Sequence, residues 1–144
     1  MGSNSLDIEP TTGGVGAFIK GIDLGLDQPD DVIETLQKAL GDHGVIFFRD
    51  QDITPAQHVA FAERFGQIDV NKFLDQVPGF PMIALVQKKA GQSYNIGGDW
   101  HTDHSYDVAP ALGSILIARQ VPPKGGDTLF ANMYSALDTL SDGM

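Results

Sequence analysis

The sequence predicts an α+β, strand-rich fold with two or three helices. Three observations carry this. Apolar residues recur at helical spacing in two stretches, at Val32, Ile33, Leu36, Ala39 and Leu40 and again at Val59, Ala62 and Phe65. Short apolar runs of β-forming residues, such as Val45-Ile46-Phe47-Phe48, are too brief for helices and read as buried strands. Glycine and proline, 17 and 8 of the 144 residues, cut the chain into short pieces of the length strands and turns require.

Taken in order, residues Met1 to Asp7 read as a disordered start or an expression remnant, and one domain is expected over 8–144. Ile8 to Leu24, broken by Gly13, Gly14, Gly16 and Gly21, predicts one or two short strands with tight turns. Asp30 or Asp31 can cap the first helix, with Gly41 and Gly44 ending it, and Gly44 to Arg49 follows as a buried strand. The second helix has the clearest start: Thr54 at the N-cap, Pro55 at the first helical position and Gln57 completing a capping box, with Gly66 as the stop. Asp69 to Gly79 reads as a loop, Met82 to Val86 as a strand, and Lys88 to Gly98 as a polar, glycine-rich loop. Ser114 to Arg119 and Asp127 to Ala131 are expected strands on either side of the turn Val121 to Gly126. A last helix starts at Met133 and runs through Tyr134, Leu137 and Leu140.

The composition excludes several functions. A formal net charge of −10 opposes non-specific nucleic-acid binding, which needs a basic surface to displace phosphate counterions. It equally opposes docking on anionic membrane. The longest apolar run, around Ile115 to Ala118, is far below the roughly 20 residues of a membrane span. No leader pattern is seen, so a cytoplasmic location is expected. With no cysteine, a metal site would have to use histidine and carboxylate.

Asp99-Trp100-His101-Thr102-Asp103-His104 is the stretch that carries chemistry. On an extended backbone His101 and Asp103 face one side, while Thr102 and His104 face the other. Two histidines and a carboxylate on one face of a metal, with the opposite positions open, form the site of non-haem iron(II) oxygenases, and His-x-Asp supplies two of those three ligands. The tripeptide alone says little, because 4 His and 16 Asp in 144 residues give about 4 × 16/144 ≈ 0.4 chance matches. The plain alternative is a surface histidine beside a solvated aspartate. His43 and His58, in or beside the helices, read as ordinary solvent-facing or partly buried residues.

The surrounding blocks are more specific. Gly44 to Gln51, Ile53-Thr54-Pro55 and Arg64-Phe65-Gly66 precede Trp100-His101-Thr102-Asp103. Gly113 to Ala118, Val121-Pro122-Pro123 and Gly125-Gly126-Asp127-Thr128-Leu129-Phe130 follow it. In order and spacing these blocks closely resemble the taurine dioxygenase family of iron(II)- and 2-oxoglutarate-dependent oxygenases, from about Ile8 to about Leu140. The resemblance implies a partial double-stranded β-helix, the jelly-roll of clavaminate-synthase-like enzymes, with flanking helices. It implies His101 and Asp103 as metal ligands for Fe(II), and Thr128 as the residue that hydrogen-bonds 2-oxoglutarate. Dioxygen and a small organic sulfonate or carboxylate are the implied reactants.

Asn71 stands where taurine-specific members carry a histidine, and Leu74 stands where they carry a tyrosine, which argues against taurine itself. Asn71, Tyr94, Asn95 and Trp100 are the candidate substrate-pocket residues, Trp100 with a core aromatic as its alternative reading. The family supplies a second histidine ligand and a 2-oxoglutarate-binding arginine far downstream, and neither falls within these 144 residues. The chain is therefore expected to be the N-terminal portion of such an enzyme. The alternative is a non-catalytic remnant with a binding or structural role. Unpaired strand edges and uncovered apolar residues such as Ile115, Ile117 and Phe130 predict a homo-oligomer.

Overall fold

The computed structural model describes residues 6–103 and 105–144; the expected start remnant Met1–Ser5 and the side-chain direction expected of His104 fall outside them. The elements run β1 (Asp7–Pro10), β2 (Ala17–Lys20), α1 (Asp30–His43), β3 (Ile46–Phe48), α2 (Pro55–Glu63), β4 (Gln76–Val77), β5 (Phe80–Ala84) and α3 (Met133–Asp138). The chain forms two compact units, residues 1–52 with 118–144, and residues 53–117.

In the first unit β1, β2 and β3 form one sheet in that order. β1 pairs antiparallel with β2, with Asp7 opposite Lys20, so Asp7 belongs to the sheet and not to a disordered start. β2 pairs in parallel with β3, and α1 makes the crossover that a parallel pair requires. Helix α1 turns Ile33, Leu36 and Ala39 inward, and with Ala17, Ile19 and Leu24 they form the buried core of this unit. Removing an Ile or Leu side chain from water contributes roughly 1.5–3 kcal/mol, so these few residues dominate its stability. Pro29, not an aspartate, sits at the N-cap; Asp30 and Asp31 lie in the first turn, where negative charge complements the helix dipole. Gly41 lies inside α1, and the stop falls on Gly44 alone. Its φ of 74° is the left-handed conformation that closes a helix, and its N–H donates to Leu40.

In the second unit α2 starts as its sequence dictates. The Thr54 side chain accepts from the Gln57 backbone, and the Gln57 side chain accepts from the Thr54 N–H at 2.8 Å. Thr54→Ala should therefore cost about 1 kcal/mol, read as a lowered urea midpoint with an unchanged slope. Phe61 is buried and meets Phe65 edge-on at 5.2 Å. β4 and β5 form a hairpin closed by Pro78-Gly79, with Val77 opposite Phe80. Gly79, at φ 80°, supplies the positive φ that a Pro-Gly turn demands at its second central residue. The strand expected at Met82–Val86 thus sits two residues earlier, and β4 lies inside the expected loop.

The strands expected at 114–119 and 127–131 are not formed; both segments are irregular. An extended segment becomes a strand only when a neighbouring backbone satisfies its N–H and C=O groups, and among the described residues neither segment enters a ladder. Other partners hold them. The ring Nε2 of His58 lies 3.1 Å from the Ile115 carbonyl, and Phe130 packs edge-on against Phe47 at 5.9 Å. The sheets present are one of three strands and one of two, so a jelly-roll is not displayed among the described residues. No helix there is long and apolar enough to cross a membrane.

Candidate metal centre

The segment from Tyr94 to Asp103 is irregular, so the alternation of a regular strand does not bring His101 and Asp103 together. A turn at Ile96-Gly97 does part of that work. Gly97 has φ 66°, and a Cβ placed on it would come within 3.2 Å of the His101 Cε1. The imidazole therefore rests against a position where only glycine combines the backbone conformation with the space. His101 Nδ1 donates to the Asp99 carbonyl at 2.7 Å. In the neutral ring that bond selects the Nδ1–H tautomer, in which Nε2 is the nitrogen that can ligate.

His101 Nε2 then lies 3.4 Å from Asp103 Oδ1. The other carboxylate oxygen, Oδ2, accepts from the Ser114 hydroxyl at 3.1 Å. One nitrogen and one oxygen thus face each other, and the remaining polar atom of each side chain is already engaged. This is how metal-binding side chains are commonly oriented, by a carbonyl or hydroxyl behind the ligand. Two donors 3.4 Å apart can both reach one ion with bonds of about 2.0–2.2 Å. Their side chains are 54% and 61% exposed, which leaves the pair open to an incoming ion and co-substrate. No group of three histidine, cysteine or acidic residues converges among the described residues, so the pair fits two positions of a metal's shell.

The other predicted residues separate clearly. Thr102 turns to a different partner, with its hydroxyl 2.6 Å from that of Ser105. Trp100 is 71% exposed, which overturns its alternative reading as a core aromatic. Tyr94 lines a cleft of about 310 Å³ whose walls include Phe73, Leu74, Leu85, Lys89 and Ile96. Ile96 leads directly into Gly97, so the cleft wall and the support of the His101 ring are continuous in the chain. Asn71 does not line this cleft; its side chain accepts from the backbone N–H groups of Phe73 and Leu74 and shapes the loop that does. The Asn95 side chain likewise accepts from Lys88 at 2.5 Å. Thr128 is exposed, on the irregular stretch between Gly126 and α3. His58 serves as a tie between α2 and residue 115, and His43 closes the last turn of α1.

Sequence reasoning missed the supporting residues. Ser114 read as the start of a strand, and its spacing of eleven from Asp103 follows no local periodicity. Gly97 read as one glycine among several in a polar loop, and a positive φ leaves no mark in the sequence beyond the glycine itself.

Residues 7–144 match the family model for the taurine catabolism dioxygenase TauD, TfdA family. An alpha-ketoglutarate-dependent sulfate ester dioxygenase of Pseudomonas putida is 33% identical over 138 residues, 95% of this chain and 45% of the relative. An (S)-phenoxypropionate/alpha-ketoglutarate-dioxygenase of Sphingobium herbicidovorans is 30% identical over 155 residues, 99% of this chain and 50% of the relative. The crystal structure of a taurine dioxygenase from Burkholderia xenovorans superposes with a TM-score of 0.50 at 32% identity, covering 54% of this chain and 28% of that one. The chain spans about half the length of the curated relatives it matches.

Proposed function

Because the chain belongs to the taurine catabolism dioxygenase TauD, TfdA family, we propose that it forms the N-terminal portion of an iron(II)- and 2-oxoglutarate-dependent dioxygenase that hydroxylates a small organic sulfonate, sulfate ester or carboxylate. The observation that carries this reading is the convergence of His101 Nε2 and Asp103 Oδ1 at 3.4 Å. His101 would ligate through Nε2, because its Nδ1–H is committed to the Asp99 carbonyl. Asp103 offers an anionic oxygen that offsets part of the ion's charge. When bound, iron and 2-oxoglutarate supply the oxidative chemistry, and the protein's part is to hold, orient and exclude.

Thr128 is assigned to the distal carboxylate of 2-oxoglutarate through its hydroxyl. Thr128→Ala should raise the 2-oxoglutarate concentration needed for half-maximal turnover roughly 10- to 100-fold, a lost hydrogen bond to a charged group being worth about 1.5–3 kcal/mol. An unchanged requirement would leave Thr128 a purely structural residue.

The substrate is assigned to the cleft at Tyr94. Its lining is mixed: Phe73, Leu74, Leu85 and Ile96 suit a hydrocarbon body, while Gln87, Gln92 and Lys89, with Asp75 also present, offer polar groups to an acidic head. Asn71 and Asn95 support its loops, and Trp100 stands exposed beside His101 in sequence. The relatives named above act on a sulfate ester and on a phenoxypropionate, both acidic groups on an organic body. Anaerobic titration with iron(II), with and without 2-oxoglutarate, tests the reading by calorimetry and visible absorption. In the full-length protein binding accompanied by the coloured chelate band is expected, and its absence there overturns the reading; folded 144-residue chain that takes up neither means that this portion is inactive alone and that the activity belongs to the longer protein.

A further inference from the structure

We propose that Ser114 is a positioning residue that forces Asp103 to ligate through one oxygen only. The inference rests on the metal-site reading above. A carboxylate near a cation can bind through one oxygen or through both, and the two modes occupy one or two coordination positions. Here the oxygens are not equivalent. Oδ1 faces His101 Nε2 at 3.4 Å, while Oδ2 is engaged by the Ser114 hydroxyl at 3.1 Å. A hydroxyl donating to Oδ2 lowers that oxygen's availability to an ion and sets the rotation of the carboxylate about its last torsion. It thereby keeps a coordination position clear beside the His101–Asp103 pair, which a bidentate co-substrate must occupy. Ser114 reaches Asp103 from eleven residues away, next to Ile115, whose carbonyl faces His58 Nε2. The tie to α2 therefore anchors the residue adjacent to the one that orients the ligand. Ser114 touches no reacting atom in this arrangement; it acts through Asp103.

The test compares the full-length wild-type protein with its Ser114→Ala, Ser114→Thr and Asp103→Ala variants, using iron(II) alone under anaerobic conditions as the probe. Ser114→Ala should weaken iron binding about tenfold, the lower end of what a lost outer partner costs a metal ligand. Ser114→Thr, which keeps the hydroxyl, should restore it. Metal-minus-apo infrared difference spectra give the second readout. The carboxylate stretches that vanish in Asp103→Ala should be widely split in wild type, as for one-oxygen ligation, and should close up in Ser114→Ala. Equal affinity and equal splitting in wild type and Ser114→Ala overturn this inference while Asp103→Ala still loses iron. Weakening shared by Ser114→Ala and Ser114→Thr also overturns it, because the hydroxyl is then not the cause. Iron binding that is absent in wild type, or that survives Asp103→Ala, overturns the metal-site reading and this inference with it.

Discussion

Asp103→Ala and His101→Ala are each expected to abolish iron(II) binding and 2-oxoglutarate-dependent turnover in the protein that carries these residues. Each variant removes a donor atom outright, so the loss should exceed the roughly 10–100-fold cost of removing a group behind a ligand. Asp103→Ala also leaves the Ser114 hydroxyl and the His101 Nε2 facing an empty space, with no anion to offset the ion's charge. Both side chains are more than half exposed, so the unfolding free energy should change by no more than an ordinary surface substitution, about 0.5 kcal/mol. Calorimetric titration and a denaturant curve on the same samples separate loss of site from loss of fold. Retained turnover in either variant would remove the pair from the mechanism. Gly97→Ala should give a milder version of the His101 defect, because the new methyl crowds the ring without removing the donor.

Local chemistry was legible in the sequence, and pairing across the chain was not. The start of α2 needed only Thr54, Pro55 and Gln57, all within four residues, and the structure forms that cap. The end of α1 at Gly44 is likewise a property of one residue that tolerates a left-handed backbone. Segments 114–119 and 127–131 have strand composition, but strand formation depends on a second backbone in register, and composition carries no information about that partner. β4 shows the reverse case. Gln76-Val77 has no strand signature, yet Pro78-Gly79 folds it onto Phe80 and makes it one. At the candidate site the His-x-Asp spacing was visible, but the reason the two side chains converge was not. A regular strand would have aligned them by alternation. Here a bond from His101 to Asp99, a glycine beneath the ring and a hydroxyl from Ser114 accompany the same convergence on irregular backbone.

The second large effect expected is self-association of the 144-residue chain. Among the described residues, eight apolar side chains are buried while nineteen large ones are exposed. In the second unit the exposed set includes Tyr106, Val108, Leu112 and Leu116, and in the first Leu129, Met133, Tyr134 and Leu137. Where such side chains lie together they favour association, and each one covered contributes at about 25 cal/mol per Å² removed from water. Segments 114–119 and 127–131 join no ladder among the described residues, and strand-forming stretches of this kind favour pairing with a second copy. The opposing force is electrostatic, because copies with a net charge of −10 repel one another. The two forces respond oppositely to salt. Screening shortens to about 3 Å at 1 M ionic strength, so repulsion fades while apolar attraction remains. Light scattering should therefore give a mass above that of one chain, increasing with protein concentration and with salt. Leu116→Lys and Leu129→Lys should each lower it, by adding charge where apolar contact is expected. A monodisperse monomer at high salt would contradict the prediction, and association that dissolves as salt rises would show that ion pairs, not the exposed apolar side chains, hold the copies together.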